Sequence, residues 1–98
     1  AAKLRVIESG ETHLLEDFNL LGRSHDATIR LNDAGISRQH ATIRREGRLF
    51  WITDLGSANG CFVNDVALSA SRVLRHGDQI QLGTLILLFD QDDTGSTG

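Results

Sequence analysis

Apolar residues in this chain recur at every second position in short runs, and no stretch keeps the three-and-four spacing of an amphipathic helix. Leu4-Arg5-Val6-Ile7 opens one such run. Glu8-Ser9-Gly10-Glu11 breaks it with turn residues before Thr12-His13-Leu14-Leu15, which predicts a hairpin. Asn19 to Gly22 reads as a third strand. In the next run, Ala27, Ile29 and Leu31 alternate with Thr28 and Arg30; after it Ala41 and Ile43 face one way, Thr42 and Arg44 the other. Leu49-Phe50-Trp51-Ile52 is apolar on both faces, so Trp51 is assigned to the core. Short strands follow at Phe62-Val63 and Val66-Ala67-Leu68 around the turn pair Asn64-Asp65, then at Gln79 to Leu82 and Leu85 to Phe89. Residues 69 to 74 carry no clear pattern. With no proline in the chain, turn formation falls to ten glycines and to Asn and Asp. About eleven short strands so punctuated predict an all-β protein, an antiparallel β-sandwich.

A chain of 98 residues accommodates one modest core, expected over residues 1–90, with the Asp-, Thr-, Ser- and Gly-rich stretch 91–98 read as a flexible tail or linker. Thr94, after Asp92 and Asp93, is a candidate phosphorylation site there. The apolar runs are too short to span a bilayer and no secretory leader pattern opens the chain, so a cytoplasmic setting is expected. The single Cys61 has no internal disulfide partner, which leaves packing to hold the fold. A net charge of −3 argues against a general nucleic-acid or membrane-surface binder, since both need a broad positive field. Any anion site must be local. Arg44, Arg45 and Arg48 cluster at the turn Glu46-Gly47 and read as a solvated hairpin surface.

Three polar loops carry the chemistry: Gly22-Arg23-Ser24, Ser37-Arg38-Gln39-His40 and Gly56-Ser57-Ala58-Asn59-Gly60. The two arginines offer forked donors with permanent positive charge and Ser37 a short hydroxyl, a set suited to a phosphate if the loops converge. Taken singly each has a plainer use: Arg23 pairing with Asp26, Ser37 bonding its own turn, Asn59 sitting at positive φ before a glycine. Catalysis finds little support. Ser37 and His40 lack a third orienting group and an oxyanion hole, and the third loop lacks the lysine of a nucleotide-binding loop. The four histidines and one cysteine show no metal-ligand spacing, so neither cofactor nor metal is expected.

In chain order these loops read G-R-S, S-R-x-H and D-L-G-S-x-N-G, followed by F-V-N at residues 62 to 64 and G-D-x-I-x-L-G from Gly77 to Gly83. From about Leu4 to Phe89 the chain resembles the forkhead-associated (FHA) domain family. That resemblance implies a β-sandwich that binds phosphothreonine segments of partner proteins through loops at one end and catalyses nothing. It implies phosphate contacts from Arg23 and Ser37 with Arg38 assisting, and peptide main-chain contacts from Asn59. Gly22, His40, Gly60 and Asn64 become loop supports, His40 bracing neighbouring loops rather than touching phosphate. A monomer that signals by protein–protein contact is the expected mode. Ala58, Cys61 and Thr28 depart from the usual family residues. Loss of a hydroxyl at Ala58 leaves open the alternative of an FHA-fold domain that binds a protein surface independently of phosphate. Ala34, Gly35 and Ile36, with Ala58, predict a shallow, mildly apolar surface beside the phosphate pocket.

Overall fold

A computed structural model describes residues 1–91. Eleven strands form two sheets. In chain order they are β1 (Ala2–Val6), β2 (Thr12–Leu14), β3 (Phe18–Gly22), β4 (Ile29–Arg30), β5 (Ala41–Glu46), β6 (Leu49–Asp54), β7 (Cys61–Val63), β8 (Val66–Ala67), β9 (Arg72–Leu74), β10 (Gln79–Leu82) and β11 (Leu85–Gln91). One sheet has the order β2-β1-β11-β10-β7-β8, the other β4-β3-β5-β6-β9. The expected sandwich is therefore what forms, and no helix occurs among the described residues. Nor, among them, is there a helix long and apolar enough to cross a membrane.

Alternation dictates the packing, because successive side chains on a strand point to opposite faces. Leu4, Val6, Ile80, Leu82, Leu87, Phe89 and Val63 from one sheet meet Leu21, Ile43, Phe50, Ile52 and Leu74 from the other, all buried. Phe50 and Phe89 meet across the layer with ring centroids 5.7 Å apart and planes tilted by 59°, an edge-directed contact. The ambiguous stretch after Leu68 becomes an edge strand: β9 pairs with β6 from Ile52↔Arg72 to Phe50↔Leu74.

Three expectations need correction. Trp51 is not core: with Phe50 and Ile52 turned inward, strand alternation places it on the outer face opposite Arg44 and Val73, half-buried. Its Nε1–H finds no acceptor. The sandwich is not wholly antiparallel, because the chain turns back after β3 and lays β4 parallel to it, Leu21 opposite Ile29. Ile36 is buried at 1% exposure, so it anchors its loop in the core and contributes nothing to a surface beside the pocket. β11 reaches Gln91, which pairs with Ala2. Thr94 and the rest of the expected tail lie outside the described residues.

Strand direction then decides which loops meet. β3 and β6 end where β5 and β7 begin, with Leu21 opposite Ala41, Ala41 opposite Asp54 and Cys61 opposite Leu82. The segments 23–28, 31–40 and 55–60, and the turn after Leu82, therefore share one end of the sandwich. Asn64 goes to the other end.

Candidate functional site

The end of β3 continues as a ladder into the 31–40 loop. Arg23 N–H donates to Ser37 O at 3.1 Å, Ser24 N–H to Arg38 O at 3.0 Å, and His40 N–H to Leu21 O at 2.9 Å. Gly22 makes this approach possible: a Cβ there would lie 2.0 Å from Arg38 O, inside any contact distance. A glycine is required by contact, whatever its φ. Arg23 Nε donates to Ile36 O at 2.5 Å, and Arg30 Nε donates to Arg23 O at 3.1 Å. Arg23 therefore turns toward the 31–40 loop, and its two terminal amino groups remain for another partner. No ion pair engages Arg23 or Arg38 among the described residues, which disposes of the Arg23–Asp26 pairing. Two of the three hairpin arginines are spent by contrast: Arg44 meets Glu46 at 3.2 Å and Arg45 meets Asp17 at 2.7 Å.

Ser37 and Asn59 tie the second and third loops together. Ser37 Oγ accepts from Ala58 N–H at 3.0 Å, which leaves the hydroxyl proton free to donate. Asn59 Nδ2 donates to Gly35 O at 2.8 Å, leaving its Oδ1 and a second N–H open. His40, fully buried, accepts from Ser37 N–H at Nδ1, 3.0 Å, and meets Gly60 O through Nε2 at 2.8 Å. The first bond requires a lone pair on Nδ1, so the proton sits on Nε2 and donates to the carbonyl. With the ring occupied by two backbone groups and Ser37 Oγ by a third, the serine and histidine side chains share no hydrogen bond.

Beneath the third loop lies a group that sequence reasoning missed. Asp54 accepts from the Ser57 hydroxyl at 2.5 Å, from Gly56 and Ser57 N–H at 3.1 and 3.2 Å, and from the Cys61 thiol at 3.2 Å. Ser57 Oγ in turn accepts from Gly60 N–H at 2.9 Å. Burial works to raise the Asp54 pKa, but the Ser57 hydroxyl, the Cys61 thiol and the two backbone N–H groups together hold it below the ordinary carboxylate value. Burial foremost, then the hydrogen bond to Asp54 and its charge, push the Cys61 thiol far up. The spacing D-L-G-S is a signal for this cap, since an aspartate accepting from N–H groups two and three residues on makes a local turn. The ligand-capable atoms of His40, Asp54 and Cys61 lie within 4.8 Å of one another. Asp54 and Cys61 bond each other, and both His40 nitrogens bond backbone groups, so a metal would have to displace these hydrogen bonds.

Asn64 does not support these loops. Its Oδ1 accepts from Gln79 N–H and its Nδ2 donates to Asp78 Oδ1, both at 3.0 Å, which fastens the β7–β8 turn to the start of β10 at the far end. Asn64 and Asp65 take φ of 51° and 69°, the left-handed pair a two-residue hairpin turn demands.

Fold and loops thus define a β-sandwich with an arginine-bearing polar end built from three cross-braced loops. The FHA domain family model matches residues 19–83, and the chain belongs to that family. It is 43% identical over 79 residues to the glycogen accumulation regulator GarA of Mycolicibacterium smegmatis, covering 76% of this chain and 49% of GarA. It is 40% identical over 82 residues to the oxoglutarate dehydrogenase inhibitor of Corynebacterium jeikeium, covering 83% and 56%. The chain spans about half the length of these curated relatives. Its fold superposes with a TM-score of 0.87 on Mycobacterium tuberculosis EmbR solved with a low affinity phosphopeptide, at 34% identity over 91% of this chain and 24% of EmbR. The names these relatives carry are those of a regulator and an inhibitor.

Proposed function

We propose that this domain binds phosphothreonine-containing segments of partner proteins in signalling, with Arg23 and Ser37 on the phosphate, Arg38 assisting, and Asn59 on the peptide main chain. The observation that carries this reading is the state of Arg23. Its Nε is tied to Ile36 O while the terminal amino groups are unpaired among the described residues, on a strand end bonded to Ser37. A guanidinium so held loses little side-chain freedom on meeting a phosphate, and charge-assisted bonds to a dianion are the strong kind. Ser37 adds a free hydroxyl proton, and Asn59 an acceptor and a donor of the spacing a peptide group needs. Membership of the FHA family and the phosphopeptide bound by EmbR support the same ligand class. Phosphothreonine is favoured over an acidic side chain because a carboxylate has one charge and a planar head.

Catalysis is no part of this reading. His40 has both ring nitrogens engaged with backbone groups and shares no hydrogen bond with the Ser37 hydroxyl, and the relatives are a regulator and an inhibitor. We read the domain as a cytoplasmic monomer that needs no cofactor and binds neither nucleic acid nor membrane, consistent with a net charge of −3 and a free, buried Cys61. Titrating a phosphothreonine peptide library beside its unphosphorylated twin tests the proposal. Binding should require the phosphate and weaken as pH falls below about 6, where the second phosphate proton returns. Equal affinity for the two peptides would overturn it in favour of a phosphate-independent interaction surface.

A further inference from the structure

The 31–40 loop is long for a connection that carries no strand or helix of its own, and its tip at residues 32–35 projects beyond the buried anchors Leu31 and Ile36. What holds the tip comes from the opposite sheet. Thr84, in the turn between β10 and β11, donates its hydroxyl to the Asp33 carboxylate, 3.0 Å from Oδ1 and 3.2 Å from Oδ2. Asp33 Oδ2 also accepts from Gly35 N–H at 3.1 Å, and Asp33 O accepts from Ile36 N–H at 3.0 Å. The carboxylate therefore closes a tight turn whose product is an oriented Gly35 carbonyl. That carbonyl accepts from Asn59 Nδ2 at 2.8 Å.

The two backbones meet directly at this point. Gly83 has φ +60°, and a Cβ on it would lie 2.7 Å from both C and O of Gly35. A Cβ on Gly35 would in turn come to 3.2 Å from Gly83 Cα. The β10–β11 turn is thus a platform on which the tip rests, and Thr84 is the side chain that fastens the two together.

We propose that Thr84 and Asp33 are positioning residues of the binding end, orienting Asn59 through the Gly35 carbonyl, Thr84 from a turn of the opposite sheet and Asp33 from the tip of the loop that also carries Ser37. The affinity part of this inference rests on the phosphopeptide reading of that end; the bracing part does not. The chain of contacts makes the dependence directional. When Thr84 releases Asp33, the turn loosens, Gly35 O swings, and Asn59 loses the acceptor that sets its amide plane. The phosphate-binding guanidinium keeps its charge throughout.

Thr84→Val keeps the shape and removes the donor, and Thr84→Ser keeps the donor. With Thr84→Val the affinity for a phosphothreonine peptide should fall about fivefold, the scale of one lost hydrogen bond, and Thr84→Ser should restore it. In an Asn59→Ala background Thr84→Val should cost nothing further, because the group it positions is gone. The side-chain amide signals of Asn59 in a ¹⁵N-correlated NMR spectrum supply a readout independent of any peptide. They should move toward free-amide values with Thr84→Val and return with Thr84→Ser. Unmoved Asn59 signals, unchanged affinity, no rescue by serine, or a full additional loss in the Asn59→Ala background would each overturn the proposal. If the Asn59 signals move as stated while the wild-type domain binds no phosphopeptide, the brace stands and the functional reading falls.

Discussion

At the scale of single residues, contact and support separate by burial. Arg23 is exposed, whereas His40 is fully buried between two backbone groups. Arg23→Ala should cost about 3 kcal/mol of phosphopeptide binding, roughly a hundredfold, and leave the melting temperature nearly unchanged. His40→Ala should instead destabilise the fold by about 3 kcal/mol, because it leaves Ser37 N–H and Gly60 C=O unpaired around a cavity. Thermal melts of both variants, read beside titration calorimetry, check the assignment. If Arg23→Ala melts lower than His40→Ala, the roles are reversed. Asp54 makes the third loop sensitive to acid. Its folded-state pKa lies below the unfolded value, so it stabilises the fold above about pH 4 and this contribution disappears as pH falls through the folded-state value. As pH falls below about 4, wild-type protein should lose more stability than Asp54→Asn, followed by acid titration of circular dichroism. Cys61, 1% exposed and with its thiol pKa pushed up, should resist alkylation at pH 8 until the protein is unfolded.

Among the elements, the two ends of the sandwich are separable. β7 begins at the third binding loop and ends at Val63, just before Asn64, whose bonds to Asp78 and Gln79 belong to the far end. Asn64→Ala should lower stability by about 2 kcal/mol, through two lost hydrogen bonds and a left-handed alanine, yet leave phosphopeptide affinity as in the wild type. A denaturant titration and one binding isotherm decide this; an affinity loss larger than the stability change explains would return Asn64 to the binding end. The D-L-G-S turn was present in the sequence as a spacing. Its partner Cys61 was not, because a thiol seven residues away reaches Asp54 only once β6 and β7 have been assigned to different sheets.

Over the whole molecule, one core joins both sheets, so binding at the loop end should be felt as global stability. A phosphorylated peptide at a hundred times its Kd should add about 2.7 kcal/mol, and its unphosphorylated twin nothing. Differential scanning calorimetry with each peptide reads this, and a shift of equal size from both would remove phosphate from the account. Both layers contribute to the binding end. The segments carrying Arg23 and Ser37 grow from the second sheet, while Asn59 lies on the crossing between sheets and the Thr84 turn belongs to the first.

Alternation and turn chemistry were enough to determine an all-β sandwich of about eleven short strands, with the stretch that becomes β9 left without a pattern. Period two is a local property of the backbone, and glycine, asparagine and aspartate break strands through their own φ preferences. The loop motifs likewise exposed Arg23, Ser37, Arg38, Asn59 and His40 as a set before any coordinate. Tertiary structure decided what depends on direction in space. It turned Trp51 outward because Phe50 and Ile52 claim the core face, buried Ile36, sent Asn64 to the far end, and laid β4 parallel to β3. It also brought Thr84 to Asp33, 51 residues apart in the chain. A hydrogen bond across that separation leaves no periodic trace in sequence, since only the closing of one sheet over the other puts donor and acceptor within reach.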